Sequence, residues 1–342
     1  MFRITALSIA IAAGFAVQAA KADPVGVQNS MVFAEHHGRD MLMTVYYPAA
    51  ENSGQSISFA ENPVFFGTPM FENAAMADGT HPVVLMSHGL GGRAAAMSWL
   101  AAGLVQEGAI VIGVDHPNST FRDFDMLAGM DHWTRVQDLQ VALDTVAAGA
   151  FGDSVDMSRL YATGFSFGGW TALSMGGLRS SADGYALYCD KTAGGSTHCN
   201  DLQRAGVDLR ALDAEKWSAS YQDARISAVA AIDPAFTYGV TQEMADELIG
   251  EALLIILGEV EDRLQATDVT SGGSGFEQKR PDLESIVVAP AFHFSALPLC
   301  KPEGEKILEM EKDDAVCSDP EGADRKKIHA DVIAAIASHF DL

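Results

Sequence analysis

Leu160-Tyr161-Ala162-Thr163-Gly164-Phe165-Ser166-Phe167-Gly168-Gly169-Trp170-Thr171-Ala172-Leu173-Ser174-Met175 carries the strongest fold signal in the chain. Its first half, Leu160 to Gly164, is a short apolar run of strand character. Its second half, Phe167 to Met175, has helical character. Between them lies G-x-S-x-G, with Gly169 trailing. A serine on so tight a strand-to-helix turn stands with its hydroxyl exposed, and the flanking positions must be small because larger side chains would collide there. The helix start also aims backbone N–H groups at the place where negative charge would develop.

The pattern extends in both directions. Strands are expected at Met41–Tyr47, Val83–Ser87, Ala109–Val114, Ala228–Ile232, Leu253–Leu257 and Ile286–Ala289. Most are continuous apolar runs, as expected of strands buried on both faces of a parallel sheet. Helices are expected over the Ala-rich residues 94–106, over Trp133 to Val146, whose apolar residues recur on one face, and over Ile328 to Phe340. The alternation predicts an α/β fold with a mostly parallel central sheet and helices on both faces. Three stretches break it. Residues 51–80 and 177–225 are expected as cap-like insertions near the active site, and residues 263–284, with Ser271-Gly272-Gly273-Ser274-Gly275, as a flexible loop.

A serine hydroxyl needs a base to take its proton, and the base needs an acid to orient it. Of ten histidines, His198, His293, His329 and His339 follow Ser166. His329 and His339 fall in the last helical pattern and are expected at the surface. His198 sits in the Cys-containing insertion. His293 follows the last strand and is the expected base. Asp233 and Asp262 each follow a strand and are both candidates for the acid. Ser87-His88-Gly89-Leu90-Gly91-Gly92 follows another strand, which assigns an oxyanion hole to the N–H groups of Leu90 and Phe167.

Taken together, the elbow with Gly169, the Ser87-His88-Gly89 loop, Asp233-Pro234-Ala235 and Phe292-His293-Phe294 resemble the dienelactone-hydrolase-like enzymes of bacteria. They also resemble the platelet-activating-factor acetylhydrolase branch of the α/β-hydrolases. The resemblance covers most of residues 30–340 and implies the α/β-hydrolase fold. It implies Asp233 as the acid, whereas the commoner arrangement in that fold places the acid after the later strand, at Asp262. Dienelactone hydrolases proper use a cysteine nucleophile. Position 166 is Ser, so dienelactone hydrolysis is not carried over.

Arg3, the apolar run Ile4 to Ala20 and Ala20-Lys21-Ala22 read as a signal peptide over residues 1–22, with residues 23–342 as one domain. Export to the periplasm or beyond is the expected localisation. The formal charge is −24, and removing Arg3 and Lys21 with the leader gives −26. Such a balance argues against nucleic acid and anionic membrane partners. No later run is long enough for stable membrane insertion. Four cysteines in an exported chain suggest disulfides, with proximity favouring Cys189–Cys199 and Cys300–Cys317. A zinc site including His198 is the rival, but the C-x₂-C spacing is missing. The expected activity is a serine carboxylic ester hydrolase working through an acyl-enzyme, with no cofactor and no metal. A small-molecule ester, a lipid or a polyester are all substrates of that chemistry. An amidase or peptidase with the same triad, or a non-catalytic binding protein on this scaffold, are the alternatives.

Overall fold

A computed structural model describes residues 24–192 and 195–342, so the expected leader and its cleavage site near Ala22 lie outside the described residues. Twelve strands follow in chain order: β1 Val25–Ala34, β2 Arg39–Pro48, β3 Gln55–Phe59, β4 Thr68–Glu72, β5 His81–Ser87, β6 Ile110–Val114, β7 Ser119–Thr120, β8 Asp123–Phe124, β9 Val155–Phe165, β10 Ala228–Ile232, β11 Ala252–Leu257 and β12 Glu284–Val288. Ten of them form one sheet in the order β12-β11-β10-β9-β5-β6-β2-β1-β4-β3, and β7 and β8 make a small separate ribbon. The six strands from β12 to β6 are parallel, while β2 joins β6 and β1 joins β2 antiparallel.

The apolar runs are continuous because both faces of the sheet are covered. Val83 and Leu85 of β5 belong to one core, and Val84 and Met86 to the other. Leu254 and Ile256 of β11 divide from Leu253 and Ile255 in the same way. Period-two alternation sends neighbours to opposite faces, so a strand buried on both must be apolar at every position. The helices Trp133–Ala148 and Phe167–Met175 cover one face, and Ser98–Gln106 and Arg325–His339 the other.

Three strands of the main sheet depart from the sequence expectation. β1 carries Gln28-Asn29-Ser30 at its centre and exposes Met31 and Phe33, which hides its alternation. β3 and β4 lie within residues 51–80, which therefore extend the sheet edge as well as forming loops. In that pair Met70 is the one buried hydrophobic residue, too little burial to impose a legible pattern. The stretch 263–284 is also more structured than a flexible loop. It closes a turn in which Asp268 Oδ1 accepts from Thr270 N–H, then opens a helical turn at Phe276, which is fully buried.

Residues 177–225 fold as short helices, Ala182–Thr192, Thr197–Arg204 and Ala214–Ser218. Cys189 and Cys199 form a disulfide between the first two of these, with sulfurs 2.08 Å apart. Cys300 and Cys317 form the second, at 2.04 Å. All four sulfurs are thereby consumed, which removes the zinc alternative. His198 is half-buried and its Nδ1 lies 2.7 Å from the Tyr185 hydroxyl.

Candidate active site

The loops that carry the candidate residues all leave the carboxyl ends of parallel strands, so they gather at one edge of the sheet. Ser166 follows β9, the loop 88–92 follows β5, Asp233 follows β10, Asp262 follows β11 and His293 follows β12. Ser166 adopts φ 57° and ψ −118°, a conformation that a non-glycine residue holds only when its surroundings enforce it. They do so through the backbone. Ser166 N–H donates to Ile232 O at 2.9 Å, and Ser166 O accepts from Trp170 N–H and Ala235 N–H, both at 3.1 Å. The elbow is thus fastened to the loop that carries Asp233. Gly168 has to be glycine for a steric reason: a Cβ there would sit 1.8 Å from Ser87 O, where the β5 loop crosses the elbow.

The structure brings Asp233 and His293 together. His293 Nδ1 lies 2.9 Å from Asp233 Oδ2, and both side chains are buried. The other carboxylate oxygen accepts the Leu257 N–H at 2.7 Å, which fixes the carboxylate plane. Phe165, beside the serine, packs its ring 4.5 Å from the imidazole. Thr267 adds an oxygen 3.5 Å from Nδ1. Asp262 stays apart: it is half-buried, and no hydrogen bond or ion pair joins it to His293 among the described residues. His329, expected at the surface, is buried instead. Its ring stacks on Trp99 at 3.7 Å and its Nε2 donates to Ser295 O and Leu297 O, behind the segment that carries His293.

The loop 88–92 lies directly over the serine, since a Cβ on Gly89 would be 3.3 Å from Ser166 Cβ. His88 shapes this loop. Its Nε2 accepts the His116 N–H at 3.1 Å, so the proton sits on Nδ1 and donates to Gly89 O at 2.7 Å. Burial holds the His88 imidazole well below its usual pKa and therefore neutral. With the Gly89 carbonyl turned to His88, the N–H groups of Leu90 and Phe167 donate to no partner among the described residues and are available to an anion.

Beneath both donors lies a residue that the sequence reading missed. Arg135 is buried and donates to His88 O, to Ser87 Oγ at 3.1 Å, to Ser119 Oγ at 2.7 Å and to Thr171 Oγ1 at 3.1 Å. Its guanidinium also lies 4.3 Å from the Phe167 ring centroid. It therefore joins the β5 loop to the helix that opens after Ser166. At 100° per residue Arg135 falls inside the arc of Leu139, Ala142 and Val146, and that placement was the available signal.

A cleft of about 660 Å³ opens beside this loop, with Gly91, Gly92, Phe65, Phe121, Leu297 and Ile307 among its walls. The β7–β8 ribbon supports the mouth, because Gly91 N–H donates to Ser119 O at 2.9 Å. Phe121, one of these walls, is more than half exposed.

No family model and no curated protein sequence matches the chain. Solved structures do. A ferulic acid esterase from Streptomyces cinnamoneus is similar over 95% of this chain and 91% of its own, at 16% identity and a TM-score of 0.59. An esterase from Rhizomucor miehei is similar over 92% and 86%, at 13% identity and a TM-score of 0.43. At such identities the likeness concerns the fold.

Proposed function

Proceeding from the α/β-hydrolase fold that this chain adopts, we propose that it is an exported serine carboxylic ester hydrolase. One observation carries the reading: a buried Asp233–His293 pair at 2.9 Å at the same sheet edge as a half-exposed serine in a strained elbow. In this reading Ser166 Oγ attacks the ester carbonyl while His293 Nε2 takes the hydroxyl proton. Asp233 keeps the other imidazole proton on Nδ1 and stabilises the imidazolium. The free N–H groups of Leu90 and Phe167 receive the charge that moves onto the carbonyl oxygen. His293 then returns its proton to the departing alcohol, leaving an acyl-enzyme on Ser166. Water, deprotonated by the same imidazole, releases the acid. The residues account for each proton without a cofactor.

Phe65, Phe121, Leu297 and Ile307 form the apolar part of a cleft that also carries Glu61, Arg93 and Arg122, and they favour an ester with a sizeable apolar acyl or aryl part. The helices at 177–225 are assigned as a cap on the same domain, and the two disulfides accord with export. The test is hydrolysis of p-nitrophenyl esters of increasing chain length, with amide analogues and Ser166→Ala alongside. Ester turnover that vanishes in Ser166→Ala supports the reading. Full activity in that variant, or turnover of amides alone, overturns it.

A further inference from the structure

The 3₁₀ turn Glu35–His37, which joins β1 to β2, presents two adjacent histidines to the helix Trp133–Ala148. Gly38 closes the turn with φ 64°. His36 Nε2 lies 2.8 Å and His37 Nε2 3.1 Å from the same oxygen, Oδ1 of Asp138, which is fully buried. The His37 side chain is 7% exposed, yet its Nε2 makes no hydrogen bond: it approaches the carboxylate without the geometry of a donor. Two imidazole nitrogens converging on one carboxylate oxygen, one of them buried and unpartnered, is an arrangement that a cation completes.

The other carboxylate oxygen is already occupied. His116 Nδ1 lies 2.8 Å from Asp138 Oδ2, and His116 Nε2 lies 2.9 Å from Ser87 Oγ. A ligating carboxylate oriented by an outer hydrogen bond is the usual support of a metal site.

We propose that His36, His37 and Asp138 form a binding site for a divalent transition metal of the Zn²⁺ type. Two nitrogens and one carboxylate oxygen suit Zn²⁺ and its neighbours in the series, whereas Mg²⁺ and Ca²⁺ select oxygen. The three ligand atoms lie within 4.8 Å of one another. Zn–N and Zn–O bonds near 2.0–2.1 Å place tetrahedral ligands about 3.4 Å apart, which modest rotation of the two imidazoles achieves. The His36 side chain is 18% exposed, so that side admits a water as fourth ligand. The ion acts as a brace. It ties the β1–β2 turn to the helix, and the chain Asp138, His116, Ser87, Arg135 continues from it to the carbonyl of His88. Metal binding here does not depend on Ser166 being a nucleophile.

Isothermal titration of Zn²⁺ into the chelator-stripped full chain tests the proposal, with wild type, Ser166→Ala, His37→Asn and His36→Asn/His37→Asn compared. One equivalent is expected to bind wild type and Ser166→Ala alike, and to raise their melting temperature with ion concentration. In His37→Asn the affinity should fall by more than the roughly tenfold to hundredfold that losing an outer partner costs, and the double variant should not bind. Co²⁺ in wild type should give the visible absorption of a tetrahedral site. Circular dichroism checks that each variant is folded. If the double variant is not, His36→Asn, altered on the open side of the turn, decides by the same criterion. Absence of one-to-one binding by folded wild type, or unchanged affinity in the histidine variants, overturns the proposal.

Discussion

Replacing Arg135 by Met keeps much of its apolar stem and removes the guanidinium that joins the loop 88–92 to the helix opening after Ser166. Four acceptors lose a partner. Thr171 Oγ1 still donates to Phe167 O, and Ser87 Oγ still faces His116 Nε2. His88 O and Ser119 Oγ have no such substitute. At about 1–3 kcal/mol for each buried group left unpaired, the loss is about 2–6 kcal/mol. Part of it is returned, because the guanidinium is itself costly to bury: desolvation pushes its pKa down to about 9. The net expectation is therefore a destabilisation of about 2–3 kcal/mol, near the lower end of that range. Catalysis should suffer separately. Deleting one oxyanion donor costs about a hundredfold to a thousandfold in turnover, and here Leu90 N–H is loosened rather than deleted, so kcat should fall about tenfold to a hundredfold with KM changing less. Arg135→Lys offers one point charge in place of a fork and should recover only part of both. Urea unfolding followed by tryptophan fluorescence, with initial rates on a nitrophenyl ester, gives the two quantities. A folded Arg135→Met protein with wild-type kcat and unfolding midpoint would refute the coupling.

Two further outcomes follow from the same contacts. Asp233→Asn should lower turnover by about four orders of magnitude if the imidazole takes the wrong tautomer, as in the serine-protease precedent, while Asp262→Asn keeps most activity; steady-state rates on both purified, folded variants decide, and the reverse pattern moves the acid to Asp262. Stability should fall as pH drops from about 6.5 toward 4. Burial pushes the pKa of His132, His198 and His329 down to about 4 from 6.5, so between those values the unfolded chain binds more protons than the folded one, and acid favours unfolding by several kcal/mol in total. Melting temperatures across that range, unchanged with pH, would contradict this.

The buried half of the sheet was legible because a strand covered on both faces must be apolar throughout, as in Leu253 to Leu257. The elbow was legible because close backbone approach leaves room for nothing beyond glycine at position 168. β1 was not, since its polar centre and exposed Met31 and Phe33 match neither template. Asp233 and Asp262 follow neighbouring parallel strands, and local sequence does not reveal which loop turns inward. Positive φ at Asp233, 44°, and the Leu257 N–H that anchors its carboxylate are properties of the assembled sheet. The network of Arg135, His116 and Asp138 was hidden for another reason. Arg135 and Asp138 lie on an amphipathic helix, where charged residues read as solvated, His116 lies in the loop after β6, and burial of these three depends on partners 16 to 102 positions away.

We propose Ser166 as an activated nucleophile. A fluorophosphonate probe, added to the folded chain and followed by intact mass and peptide mapping, measures this directly. One adduct per chain is expected, on Ser166, absent in Ser166→Ala and strongly slowed in Asp233→Asn. A chain that takes up no probe, or carries it on another serine, would rule out Ser166 as the nucleophile.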